Sequence, residues 1–413
     1  MFRGIGRSMF FALGFLAVAC GGEGSQVQEE TAGPVVPREW LGDAAGATRP
    51  QLEALGDVRL LMGVNAEELR REAMASMAVR PAPSAGDSAS EASGERVFIG
   101  IDVKNQKAYR LRTDAASLGR IANELASRGM NTSSRGTLDD AALSPDVGME
   151  ESSPSTVSGQ TWSDGVDTRI RMGIADGYAT NAWPHRTIGH LSAGCSGALV
   201  GRRVVLTAAH CVVDSYDGWS PIYSTFTPRR DGATAPWGVH DPVWYWVPES
   251  YINGTCTNAG NCNANDIAVM VLADNFTNGH PGWMGHWNAS TETLKGWSMY
   301  LRGYPGCSGA SAPASCTSRT LYGDVKACKV GSGFSPDSAG SDREITLSCD
   351  GSPGQSGSPI YSSVPNVGTV VVGQYNQYYC TGTGCAGTAF PNVMGHLTPS
   401  WNETISYFKS MYP

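Results

Sequence analysis

A serine stands at position 356 in the stretch Cys349-Asp350-Gly351-Ser352-Pro353-Gly354-Gln355-Ser356-Gly357-Ser358-Pro359-Ile360-Tyr361. Glycines on either side, and a proline leading an apolar run, suit a nucleophile held on a tight turn that enters a strand. Glycine is required there because a backbone N–H can point at a substrate oxygen only where the chain takes shapes that a β-carbon resists. The N–H groups of Gly354 and Ser356 would then hold the oxyanion that forms when the hydroxyl attacks a carbonyl. A serine hydroxyl is a poor nucleophile at its own pKa and needs a base within hydrogen-bond reach. His210, in Thr207-Ala208-Ala209-His210-Cys211, and Asp266, in Asn265-Asp266-Ile267-Ala268-Val269, are the partners it requires, in the chain order His, Asp, Ser. In that chemistry His210 takes the proton on attack and returns it to the leaving group, while Asp266 holds the imidazole's tautomer and stabilises the imidazolium. No metal or organic cofactor is needed. His185, His190, His240, His280, His286 and His396 lack a comparable motif, and Asp241 and Asp274 lack the Asp-Ile-Ala pattern.

With these residues the chain resembles a trypsin-like serine protease of the chymotrypsin fold. Within that family it most resembles the bacterial glutamyl endopeptidase branch, which carries GQSGSP or GNSGSP where trypsins carry GDSGGP. The resemblance covers roughly residues 162 to 413 and not the first third of the chain. It implies a serine endopeptidase acting on protein or peptide substrates through an acyl-enzyme. The alternatives are an inactive binding module on the same fold and an esterase. It also implies a Cys195–Cys211 disulfide stapling the loop of the catalytic histidine. For the substrate pocket it points to Asp350, six positions before Ser356, and to the strand holding Gln374 and Tyr375. Trypsins use a carboxylate at that offset to receive Lys or Arg. Glutamyl endopeptidases follow it with Thr and place a His on the strand, where this chain has Gly351 and Gln374 or Tyr375. The residue before the nucleophile is Gln355 rather than the Asp that pairs with a new N-terminal amine in trypsins. Gly165-Val166-Asp167-Thr168-Arg169 resembles the segment ending in Thr-Arg that follows the mature start in the glutamyl endopeptidases.

The elements that must position these residues read as short apolar strands separated by turns from Trp162 onward. The stretches 185–191, 196–200, 203–207 and 266–272 are expected strands, with His210 on a turn between two of them. The expected fold is all-β, two antiparallel six-stranded β-barrels of the chymotrypsin type, the second over about residues 296–393. Thr398 to Met411, with Pro399 near its start and Trp401, Ile405 and Phe408 on one face, is the expected C-terminal helix.

The chain has 413 residues and a net charge of −8, which leaves no basic footprint for nucleic acid. Residues 1–20 read as an export signal: Arg3 and Arg7 precede an apolar core over 9–19 that is too short for a stable membrane anchor. Leu16-Ala17-Val18-Ala19-Cys20 resembles a bacterial lipoprotein box with Cys20 as the lipidated residue, the alternative being ordinary cleavage near Ala17-Val18-Ala19. The expected location is outside the cytoplasm, secreted or lipid-anchored at a bacterial envelope, as a monomer. Apart from Cys20 there are ten cysteines, all between Cys195 and Cys385, an even set that in an exported chain implies disulfides. Proximity suggests Cys256–Cys262, Cys307–Cys316 and Cys380–Cys385, leaving Cys328–Cys349. Residues 21–160 are acidic, with flexible linkers over 21–50 and 81–94. Within them, apolar residues among Glu and Arg predict one or two amphipathic helices over Gln51–Val79, and a hairpin is expected around Lys104-Asn105-Gln106. A helix capped by Asp114 is expected to run to Arg128. This α+β region reads as a pro-segment, alternatively a spacer, ahead of a protease domain over 161–413.

Overall fold

The computed structural model describes residues 51–63, 95–114, 117–120, 166–214, 220–253, 263–308, 312–336, 341–378 and 392–413. All of these fall in one compact unit. The strands, in chain order, begin with β1 (Gln51–Asp57), β2 (Glu95–Asp102), β3 (Lys107–Asp114) and β4 (Arg169–Arg171). Next come β5 (Ile188–Leu191), β6 (Cys195–Leu199), β7 (Val204–Thr207), β8 (Val213–Asp214), β9 (Ser220–Pro221) and β10 (Phe226–Pro228). They continue with β11 (Pro242–Pro248), β12 (Ala268–Leu272), β13 (Gly285–His286), β14 (Tyr300–Gly303) and β15 (Tyr322–Asp324). The last are β16 (Val330–Pro336), β17 (Asp342–Leu347), β18 (Pro359–Val364), β19 (Gly368–Tyr378) and β20 (Asn392–His396). The C-terminal helix spans Pro399–Met411, and the Thr398 hydroxyl accepts from the Trp401 N–H at its first turn.

The expected β architecture is present: curled antiparallel sheets with few helices, closed by the C-terminal helix. Among the described residues two sheets hold nearly every strand. The first runs β1-β3-β2-β11-β12-β7-β6-β5-β10 and the second β16-β17-β20-β19-β18-β14-β15-β4, with β13 beside β19. Six strands of the first sheet, β5 to β7 and β10 to β12, come from residues 188–272, the number expected of one barrel. The other three come from the first third of the chain. Leu191, Leu199, Val205, Tyr245, Val247 and Met270 form the core of the first barrel. Leu301, Ile345, Leu347, Ile360, Val372 and Met394 form that of the second. A third cluster lies under the C-terminal helix, where Ile405 and Phe408 meet Trp246, Leu206 and Val269.

Several local expectations are modified. Gln51–Asp57 is a strand, not the start of an amphipathic helix, because β3 offers it a backbone partner along its whole length. Leu52 and Leu55, apolar residues of the expected helix, are exposed on that strand. Residues 64–79 of the expected helix lie outside the described residues, as do the linkers, Cys20, and the pairs Cys256–Cys262 and Cys380–Cys385. His185–Thr187 forms a short 3-10 turn ahead of β5 rather than part of the strand. The hairpin β2–β3 turns at Lys104-Asn105-Gln106 as expected, with the Asp102 carboxylate accepting from the backbone and side-chain amides of Asn105. Asp114 caps the helical turn at 117–120 by accepting from the Ser117 N–H. Three disulfides are present among the described residues: Cys195–Cys211, Cys307–Cys316 and Cys328–Cys349. Among the same residues no helix is long and apolar enough to cross a membrane.

Candidate active site

β7 ends at Thr207, and the chain turns through Ala209-His210-Cys211 before resuming as β8. The turn is tied down twice: the Cys195–Cys211 disulfide joins it to the start of β6, and the Thr207 hydroxyl donates to the Ser196 carbonyl. Asp266 lies two residues before β12, which pairs with β7, so the two residues meet because their strands are neighbours. Oδ1 of Asp266 accepts from the His210 main-chain N–H at 2.9 Å, and Oδ2 lies 2.7 Å from His210 Nδ1. Both side chains are buried, with 5% and 2% of their surface exposed. A carboxylate in that position accepts an Nδ1–H, which leaves Nε2 as the basic nitrogen.

Ser356 sits on the turn between Cys349 and β18. The turn is closed by Gln355 N–H donating to the Ser352 carbonyl and Ser358 N–H donating to that of Gln355. Gly354 (φ 91°) and Gly357 (φ 79°) take left-handed shapes. Neither position tolerates a side chain for a second reason, close approach. A β-carbon on Gly357 would lie 2.2 Å from Thr207 Oγ1 and 2.3 Å from the Ser196 carbonyl oxygen. One on Gly354 would lie 2.4 Å from the Gly306 nitrogen. The turn belongs to the second sheet but is docked on the first: Ser196 N–H donates to the Ser356 carbonyl at 2.8 Å, and Cys211 Sγ lies 3.6 Å from the same oxygen. Ser196 Oγ donates to the Gly354 carbonyl and accepts from the Tyr304 N–H, each at 2.9 Å. The turns that carry His210 and Ser356 thus touch where the two sheets meet, with Ser356 Oγ donating to the Asn376 carbonyl at 3.4 Å. No motif marks Ser196 for this role.

The three residues expected to line a substrate pocket are spread around this centre. Gln374 is buried behind Asp266, with Nε2 donating to the Asp266 carbonyl and to Asn376 Oδ1. That arrangement holds the carboxylate's own backbone. Tyr375 is buried with its hydroxyl donating to Asn392 Oδ1 at 3.1 Å, and its ring covers Gly351, where a β-carbon would meet it at 2.7 Å. Asp350 is buried beneath the turn. Its Oδ2 accepts from the Thr168 N–H at 2.8 Å and the Thr168 hydroxyl at 3.0 Å, and its own N–H donates to Asp324 Oδ2.

Thr168 belongs to a short segment that the motif reading did not connect to the site. The next residue, Arg169, is fully buried and pairs with Asp167 through Nε and Nη2, each at 2.9 Å. Its Nη1 donates to Ser352 Oγ at 2.7 Å and Gln355 Oε1 at 2.6 Å. Gln355 therefore has an arginine for its partner, where trypsins pair an Asp with an N-terminal amine.

The Asp350 carboxyl is pushed up to about 6, chiefly by burial, while the Thr168 hydrogen bond and the Arg169 charge pull the other way. Asp324 is pushed well above the usual carboxylate range by burial and by the Asp350 charge. Groups that hold their protons more tightly folded than unfolded contribute stability that is full below about pH 4 and is lost as pH rises through the folded value. Asp350→Asn, which keeps an acceptor for Thr168, is expected to reduce the loss of stability between pH 4 and 6. Urea midpoints across that range measure it, and an unchanged slope would contradict the assignment.

Among the described residues two clusters have metal-ligand geometry, Cys195 with His210 and Cys211, and Asp324 with Cys328 and Cys349. In both the cysteines are disulfide-bonded and offer no thiolate.

Residues 195–367 match the family of the trypsin-like peptidase domain. This stretch is similar to a trypsin-like peptidase domain. The matched stretch holds the turn of His210, Asp266 and the turn of Ser356. The chain is also 30% identical over 145 residues to a glutamyl endopeptidase of Bacillus licheniformis, an alignment covering 34% of this chain and 42% of that protein. It therefore spans less than half the length of that relative. An extracellular metalloprotease of Bacillus subtilis is 24% identical over 245 residues, 55% of this chain and 67% of the relative. Among solved structures, a Glu endopeptidase in complex with MPD aligns over 60% of this chain and 99% of its own, at 22% identity and a TM-score of 0.45.

Proposed function

We propose that the chain is an exported serine endopeptidase that hydrolyses peptide bonds through an acyl-enzyme, with Ser356 as nucleophile, His210 as base and Asp266 as its orienting carboxylate. The observation that carries this reading is the double hold of buried Asp266 on the His210 ring and main chain, beside the glycine-flanked turn of Ser356. Ser356 Oγ attacks the scissile carbonyl and its proton passes to His210 Nε2. The tetrahedral oxyanion is held by the N–H groups of Gly354 and Ser356, and the proton goes on to the leaving amine. Water then repeats the sequence on the acyl-enzyme.

The engagement of Asp350 by Thr168 weighs against a free carboxylate receiving Lys or Arg. Gly351, and Gln374 or Tyr375, in place of the Thr and His of glutamyl endopeptidases, weigh against simple transfer of glutamate preference. Residues 1–20 direct export, with Cys20 as the lipidation site, and residues 21–160 are a pro-segment whose strands pair with the monomeric protease unit. The extracellular naming of the Bacillus subtilis relative supports export.

The test is treatment of the full chain with a fluorophosphonate, followed by intact mass and peptide mapping. One adduct on Ser356 is the expected result. Labelling that requires prior limited proteolysis assigns an inhibitory role to the first third. No adduct under either condition favours a binding module and sinks the enzyme reading. Amide and ester substrates assayed side by side separate a peptidase from an esterase.

A further inference from the structure

We infer that the hairpin at residues 95–114 is a permanent wall of the trypsin-like unit. Hydrolysis of a peptide bond between residues 121 and 165 would then leave the hairpin bound as a separate chain rather than release it. The inference rests on packing alone and stands or falls independently of the catalytic assignment.

β2 fills the open side of β11, the end strand of the first barrel's six in the sheet order, with antiparallel partners from Trp244↔Asp102 to Pro248↔Phe98. The Val103 N–H extends the ladder by donating to the Val243 carbonyl. β11 is paired with β12 on its other side. Removing β2 would therefore leave β11 as an unpaired apolar edge strand.

The side chains of β2 are committed on both faces. Ile99, Ile101 and Val103 are buried within the first barrel core beside Tyr245, Val247 and Met270. On the other face the Phe98 ring meets Trp401 edge-on at 6.0 Å and Phe408 at 5.7 Å, both from the C-terminal helix. Between them Gly100 lies so close under the Trp246 indole that a β-carbon would approach it to 2.4 Å. Leu111 of β3 is buried in the same cluster, and Arg110 reaches Glu249 at 2.6 Å beyond the end of β11. A segment meant to dissociate exposes polar surface when it leaves. This one would uncover Trp246, Trp401, Phe408 and the barrel-core residues packed against Ile99, Ile101 and Val103, an apolar surface that favours association.

Cleavage by any protease at a bond in 121–165 adds one water, giving a carboxylate on the first fragment and an amine on the second, and breaks none of these contacts. To test this, a recognition sequence for a site-specific protease is inserted between Ser144 and Pro145 of the full-length protein. The protein is cut and then passed through size exclusion under native conditions. The expected result is co-elution of the two fragments at one to one, with separation only in denaturant. An N-terminal fragment that elutes alone would overturn the inference. Amide hydrogen exchange provides a second readout: residues 244–247 should stay as protected after the cut as before it, and a gain in their exchange rate also counts against retention. In the cut protein, Phe98→Ala is expected to lower the urea concentration at which the fragments part. An unchanged concentration would overturn the contacts assigned to Phe98.

Discussion

Replacing Ser356 with alanine is expected to lower peptidase turnover about 10⁶-fold, and His210→Ala should cost about as much, with the double variant scarcely worse than either. The reason is that the hydroxyl and the imidazole act as one unit: without the base, Ser356 keeps its proton, and without the hydroxyl, His210 has nothing to deprotonate except water. Asp266→Asn should be less severe, about 10⁴-fold, because the ring remains near its place but loses the acceptor that selects the Nδ1–H tautomer. Urea midpoints should remain near that of the parent for Ser356→Ala. Turnover of the same order as the parent in either the Ser356 or the His210 variant would remove the mechanism.

Arg169→Met is expected to cost about 3–5 kcal/mol of folding stability and most of the activity. The guanidinium is fully buried, and its removal leaves the Asp167 carboxylate, itself nearly buried, without its cation. It also leaves Ser352 Oγ and Gln355 Oε1 without the donor that fixes the residue before the nucleophile. Arg169→Lys should rescue little, since an ammonium does not reproduce a planar fork that serves Asp167 on one side and the turn on the other. The double change Asp167→Asn with Arg169→Met should recover part of the stability but not the activity, because it removes the stranded charge without restoring the hold on Gln355. Denaturant midpoints and turnover measured on the same samples separate the two effects. Equal stability of single and double variants would show that the buried pair is not the source of the loss.

The residues proposed for chemistry were legible because each lies in a short motif whose composition is dictated locally. Gly354 and Gly357 must take left-handed shapes, and Cys211 beside His210 marks a stapled turn. The strand of Asp266 was legible for the same reason, as were the C-terminal helix and the hairpin turn at Asn105. Arg169 was not connected to the site because its partners Ser352 and Gln355 lie 183 and 186 residues away, a distance over which periodicity and propensity carry no information. Gln51–Asp57 was misread because its composition suits a helix while β3 offers a ladder, and tertiary pairing outweighs propensity. The hairpin was read, but its destination was not. The acidic, linker-rich composition around it pointed to a separate segment, whereas Ile99 and Ile101 lie inside the first barrel core.

Ser196 belongs to the first sheet, yet its N–H and hydroxyl hold Ser356 and Gly354 of the second, and its oxygen also receives the Tyr304 N–H. The proposed base and nucleophile are therefore mounted on different halves of the molecule and kept in register by a seam rather than by a shared strand. A slip of about one ångström along that seam would misalign them at large kinetic cost without breaking a strand pair in either half. Competence is in this sense a property of assembly within a single chain, and its loss need not wait for either half to unfold.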